Sequence, residues 1–208
     1  MAGAPVVRVW SDYICPFCYV ATERAAWLEE RYGAQVEWLP FDLHPEYPPE
    51  GIPREQLVAR YGSDGMARTQ GFFEQHGLEY NPNPEVVPNS MRALRLTEHA
   101  RAQDLHEPFH DRLMDAYWAE GQDIGDPMVL RALAADVGVE GADDVLASDA
   151  YADVVRRATE EAHAVGINGI PAFLLDRKLL VLGAHPKASF EQAFAQLEGS
   201  GSESAPSQ

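Results

Sequence analysis

Cys15 and Cys18 are the chain's two cysteines, separated by Pro16 and Phe17. Two thiols one helical turn apart can exchange with an external disulfide: one sulfur attacks as a thiolate, and the other returns to break the mixed disulfide. The same spacing can supply half of a zinc site, but such sites usually take four Cys or His ligands, and this chain has no other cysteine. His106 and His110 stand at i and i+4, while His44, His76, His99, His163 and His185 form no such pair. A third reading is two merely buried thiols. Far along the chain, Gly169-Ile170-Pro171 precedes an apolar run. A residue without an N–H suits a strand's first position, and an Ile–Pro bond tolerates the cis form at modest cost.

The elements around these residues follow from periodicity. Val6 to Trp10 is a short β-branched and aromatic run bounded by Ser11 and Asp12, which predicts a buried strand. From Pro16 to Tyr32 apolar residues recur at helical spacing, Pro16 suits the first turn, and Gly33 stands where a left-handed cap belongs. Cys15 then lies at a helix N-terminus, where unpaired N–H groups and the helix dipole favour negative sulfur. It is the expected attacking thiol, with Cys18, one turn further in, the resolving one. Val36 to Leu43 alternates as a second strand, completing β-α-β.

Between Arg54 and Val165 the alternation gives way to helical segments, predicted over 54–61, 65–76, 90–103, 107–121, 127–137 and 149–165. Asn89 or Ser90 and Asp126 are candidate N-caps, and Asn81-Pro82-Asn83-Pro84 reads as a surface loop. Strands return at Ala172–Leu175 and Lys178–Leu182, joined by a turn at Asp176-Arg177. A last helix from about Pro186 presents Phe190, Phe194 and Leu197 and stops at Gly199; the polar tail is expected to be disordered.

Composition narrows the function. Among 208 residues, 46% are hydrophobic and 24% charged, the balance of a folded globular protein. A net charge of −17 disfavours surfaces built for nucleic acid or anionic membranes, and no apolar stretch reaches the ~18 residues of a membrane span. Residues 1–5 run directly into the first strand without a secretory pattern, so a cytoplasmic location is expected. Thiols are kept reduced there, which favours a catalytic or metal-binding pair over a structural staple.

Taken together, Asp12-Tyr13-Ile14-Cys15-Pro16-Phe17-Cys18-Tyr19 and Gly166-Ile167-Asn168-Gly169-Ile170-Pro171-Ala172-Phe173 resemble the DsbA family, in particular its cytoplasmic FrnE-like branch. Asn89 to Leu96, Phe109-His110, Ala116-Tyr117-Trp118 and Gly183-Ala184-His185 extend the resemblance over nearly all of the chain. It implies an α/β, thioredoxin-like fold carrying an inserted all-helical domain: residues 1–53 and 166–199 form the thioredoxin-like part, 54–165 the insertion and 200–208 the tail. It further implies catalysis by Cys15 and Cys18 beside a cis Pro171, with Ile170 offering backbone hydrogen bonds to an extended substrate. Phe17 is a candidate contact for an apolar substrate, or a residue that packs under the insertion. Where strongly oxidising periplasmic members carry a His between the cysteines, Phe17 can neither donate to sulfur nor carry charge, so a more reducing couple is expected.

The expected activity is protein disulfide oxidoreduction on protein or small-molecule thiols and disulfides, without nucleic acid, membrane, metal or bound cofactor. Glutathione is an open redox partner, and a homodimer is left open. Two alternatives stand beside it. Kappa-class glutathione transferases and 2-hydroxychromene-2-carboxylate isomerases share the architecture, but typically place Ser where Cys15 stands and Ser-Asp where Ala184-His185 follows Gly183. A non-catalytic binding or chaperone-like module with a vestigial dithiol is the other. His44, His185 and Trp10 fall near predicted strand ends and are not assigned a catalytic role; Tyr13 and Tyr19 are read as packing residues.

Overall fold

Alternation along the first strand decides the layering. Val7 and Val9 are fully buried on one face, whereas Arg8, on the other, reaches Glu37 on the neighbouring strand at 2.8 Å. The computed structural model describes residues 4–201. In chain order these form β1 (Val6–Ser11), α1 (Pro16–Tyr32), β2 (Gln35–Pro40), β3 (Ile52–Pro53), α2 (Arg54–Gln75), β4 (Val86–Val87), α3 (Met91–Arg101) and α4 (His106–Trp118). Then follow α5 (Pro127–Val137), α6 (Ala142–Leu146), α7 (Ala152–Ala164), β5 (Ala172–Leu175), β6 (Leu179–Leu182) and α8 (Lys187–Gly201).

Four strands make one mixed sheet in the order β2-β1-β5-β6. β1 runs parallel to β2, Val9 opposite Trp38, and antiparallel to β5, Val9 opposite Phe173. On one face Val7, Val9, Phe173 and Leu175 pack with Ala21, Ala25 and Leu28 of α1 and Phe190 and Phe194 of α8. On the other, Trp10 and Ala172 join a larger core with residues of α3, α4, α5 and α7. The sheet is therefore covered on both sides, as the apolar runs of its strands require. The chain has the thioredoxin-like, mixed α/β fold expected from its sequence.

Local chemistry sets the boundaries. Gly33 adopts φ +62° and donates to Glu29 O at 2.9 Å, closing α1. Asp126 accepts the Met128 N–H at 2.8 Å and caps α5. Asp176 and Arg177 both have positive φ inside the turn 176–178, which the Lys178 N–H closes by donating to Leu175 O at 2.9 Å, so Lys178 belongs to the turn and not to the strand expected to start there.

Several boundaries differ from the periodicity. β2 ends at Pro40, opposite Ser11 where β1 itself ends; the Phe41 N–H still donates to Ser11 O, and from there Phe41 is buried and Leu43 half-buried in a loop. The helices expected over 54–61 and 65–76 are one element, bent where Gly62 is non-helical (φ 73°, ψ 164°). β3 and β4 pair with each other in a small second sheet, β3 lying just before the expected insertion and β4 within it. α6 was not foreseen, and α8 runs past Gly199 to Gly201. The rest of the expected tail, 202–208, lies outside the described residues.

Candidate active site

Where β1 ends, the backbone turns tightly into α1. The Cys15 N–H donates to Asp12 O at 3.2 Å, and Cys15, with extended dihedrals (φ −87°, ψ 116°), caps the helix. Pro16 occupies the first helical position, where a missing N–H costs nothing. The Cys18 N–H then donates to Cys15 O at 3.0 Å. Cys15 is 4% exposed, Cys18 is fully enclosed, and the two are unbridged.

The antiparallel pairing of Trp10 with Ala172 brings the residues that lead into β5 beside this turn. Cys15 Sγ donates to the Ile170 carbonyl at 3.7 Å. The Ile170–Pro171 peptide bond is cis, and Pro171 O accepts the Gly183 N–H at 2.7 Å. Thus Cys15, Cys18, Ile170 and Pro171 gather at the carboxyl end of β1. Phe17 stays at the rim, about half exposed, edge-on to Phe72 at 5.5 Å between ring centres.

The two sulfurs have different surroundings. Burial pushes the Cys18 thiol well above its ordinary range, and the hydrogen bond and charge of Cys15 push it further. The Asp12 backbone N–H and the Ser11 hydroxyl oppose this by favouring the thiolate, although Ser11 Oγ stands outside ordinary hydrogen-bond geometry.

Asp12 organises the turn. Its carboxylate accepts from the N–H of Ile14 (3.3 Å) and Leu43 (2.8 Å) and from the Ser90 hydroxyl (2.9 Å). Burial dominates these bonds and raises the carboxyl to about 6. Ser90 is accordingly drawn away from capping α3, and Asn89 Oδ1 accepts the Met91 N–H instead. Tyr13 and Tyr19 are buried and also bonded, through Tyr13 O to Trp118 Nε1 (2.9 Å), Tyr13 OH to Thr97 (2.6 Å) and Tyr19 OH to Asp115 (2.8 Å).

Ser11, Asp12 and Ser90 were not singled out from sequence as site residues. A carboxylate three residues before the first cysteine was the available signal for Asp12; Ser90 could not be tied to it without the fold. His44 stacks on Tyr47 and pairs with Glu46, and Trp10 is a core residue. Among the described residues no group of three or more His, Cys, Asp or Glu is arranged to hold a metal ion, and no helix is long and apolar enough to cross a membrane.

A model of the DSBA-like thioredoxin domain matches residues 6–195. The chain belongs to the DsbA-like thioredoxin-domain family. This DsbA-like chain is 33% identical over 197 residues to the uncharacterized protein YwbO of Bacillus subtilis, covering 91% of this chain and 95% of that one. It is 26% identical over 186 residues to the 2-hydroxychromene-2-carboxylate isomerase of Sphingobium xenophagum, covering 83% and 90% respectively. Among solved structures it is similar to a probable DsbA oxidoreductase from Streptomyces coelicolor, with a TM-score of 0.85 and 31% identity over 98% of this chain and 93% of the other.

Proposed function

We propose that this DsbA-like chain is a thiol–disulfide oxidoreductase acting on protein or small-molecule disulfides. Cys15 attacks one sulfur of the substrate, and the other substrate sulfur leaves as a thiolate. Cys18 then attacks Cys15 Sγ, the second substrate thiolate leaves, and the protein retains the Cys15–Cys18 disulfide, having given up two electrons. The reverse sequence oxidises a substrate dithiol. The observation that carries this reading is the meeting of Cys15 Sγ with the Ile170 carbonyl, with Cys18 buried one turn behind. In this reading an extended substrate adds alongside Ile170 and Pro171 through its backbone, in the manner of strand addition. Phe17, exposed beside Phe72, offers it an apolar contact.

The test is insulin reduction with dithiothreitol. Wild-type protein should accelerate it, Cys15→Ser should not, and Cys18→Ser should accumulate a covalent mixed disulfide visible by mass spectrometry. Wild type no faster than Cys15→Ser would sink the proposal.

A second reading, glutathione-dependent isomerisation, is favoured by the similarity to the chromene-carboxylate isomerase. Incubation of Cys18→Ser with glutathione disulfide distinguishes them. An adduct on Cys15 makes glutathione a redox partner of the dithiol, whereas tight binding of reduced glutathione with no adduct supports the isomerase reading.

A further inference from the structure

Beside the carboxyl end of β1, between β2, α3 and α4, lies a cavity of about 10 Å³. This is about what one water needs. Its lining includes Ser11, Tyr13, Trp38, Thr97, His106 and His110. Ser11 Oγ and His110 Nε2 are buried without a protein partner, on residues only 5% and 3% exposed. Native proteins seldom leave such atoms unsatisfied, and a bridging water is the usual remedy.

The orientation of His110 is fixed by its neighbours. Its ring stacks on Trp38 at 4.3 Å, with His106 on α4 at 5.9 Å and Tyr13 at 5.5 Å. Nδ1 lies 3.0 Å from Asp111 Oδ1, whose side chain is more than half exposed. A carboxylate only accepts, so Nδ1 carries the proton and Nε2 presents a lone pair. On the other side Ser11 stands next to Asp12, and its hydroxyl lies where it favours the Cys18 thiolate, short of an ordinary hydrogen bond to it.

We propose that one water in this cavity bridges Ser11 Oγ and His110 Nε2, and that the proton of the resolving thiol leaves by way of Ser11, this water and His110. The proposal rests on the dithiol reading above. Cys18 can attack only as a thiolate, and burial disfavours that form, so its proton needs an acceptor at the moment of attack. As the Ser11 hydroxyl turns onto the sulfur, the Cys18 proton passes to Ser11 Oγ while the Ser11 proton passes to the water and a water proton to Nε2. His110 becomes an imidazolium balanced by Asp111. The Cys18 thiolate forms the bond to Cys15 Sγ, the Cys15–substrate bond breaks, and the electron pair departs on the substrate thiolate. When a later reductant reopens the disulfide, the proton returns by the same route.

The other groups around the cavity do not compete. The Tyr13 hydroxyl is committed to Thr97. Glu98 is paired with Arg101 at 3.0 Å. His106 is kept neutral, first by burial and then by Arg101 and His110.

The experiment uses the reduced full chain and dithiobis(nitrobenzoate) in a stopped-flow instrument. The first thionitrobenzoate reports attack by Cys15, the second attack by Cys18. Ser11→Ala and His110→Gln should slow the second release by about tenfold or more, below the full 10²–10⁴ of a placed proton acceptor because extra water can substitute in part. The double variant should be no slower than the worse single one, and the solvent deuterium effect on the second release should shrink in each. Asp111→Asn, which alters only an exposed side chain, should slow the second release by about threefold. A second release at wild-type rate in both Ser11→Ala and Asp111→Asn overturns the relay while leaving the dithiol reading intact. Failure of wild type to give any first release overturns that reading and the relay with it. A high-resolution crystal structure should show one water within hydrogen-bond distance of both atoms; a dry cavity overturns the proposal whatever the kinetics.

Discussion

Replacing Asp12 by Asn should change how stability depends on pH. In the folded chain its carboxyl is held at about 6 against an ordinary 3.8, chiefly by burial, with the neighbouring Asp42 adding to it. A raised acid pKa means that the folded state binds the proton more tightly than the unfolded state does. Its contribution is thus complete below about pH 4, declines as pH rises, and is gone above about 6. The gap of roughly two units corresponds to about 3 kcal/mol at the plateau. Asparagine accepts the Leu43 N–H without carrying charge, and it does not titrate. Between pH 4 and 7 the wild type should therefore lose about 3 kcal/mol relative to Asp12→Asn. Urea unfolding of the two reduced proteins across this range measures the difference, and the many surface carboxylates cancel between them. Parallel curves, or a wild type that gains on Asp12→Asn as pH rises, would refute the reasoning.

Two further outcomes follow from packing. Gly51 has φ +78°, and a Cβ there would stand 2.5 Å from Val87 O, so Gly51→Ala should cost about 2 kcal/mol or more in urea unfolding. Phe17→Ala removes a half-exposed ring whose aromatic neighbour is Phe72; stability should fall by no more than about 1 kcal/mol. The same variant should raise KM for a peptide disulfide flanked by apolar residues while leaving the first release from dithiobis(nitrobenzoate) intact.

The outer β-α-β and β-β-α portions were legible because each rests on a local signal: alternation at Val7 and Val9, Pro16 and Gly33 bracketing one helix, and a turn between two apolar runs at Asp176-Arg177. Non-local pairing left no such trace. Ile52-Pro53 and Val86-Val87 are too short for a period to be seen, and only their meeting makes them strands. The five residues of α6 are shorter than two helical turns. Phe41 and Leu43 looked like a continuing strand because burial in a loop and burial in a sheet select the same side chains. At the site, the cysteines and Pro171 stood out by residue type and spacing. Ser11 and His110 did not, since nothing local connects a serine closing β1 with a histidine on α4, and the i, i+4 spacing of His106 and His110 showed only that their rings share one face of a helix.

The position of β1 within the sheet matters while the chain is still being made. Its parallel partner, β2, follows almost at once, but its antiparallel partner, β5, begins only at Ala172. At ribosomal speeds of about 5–20 residues per second, the two events are separated by on the order of ten seconds. Throughout that interval Val7 and Val9 have one open edge, and Cys15 and Cys18 are already outside the tunnel without the Ile170 carbonyl beside them. A nascent chain of this protein carries both thiols long before it carries the surroundings that distinguish one from the other.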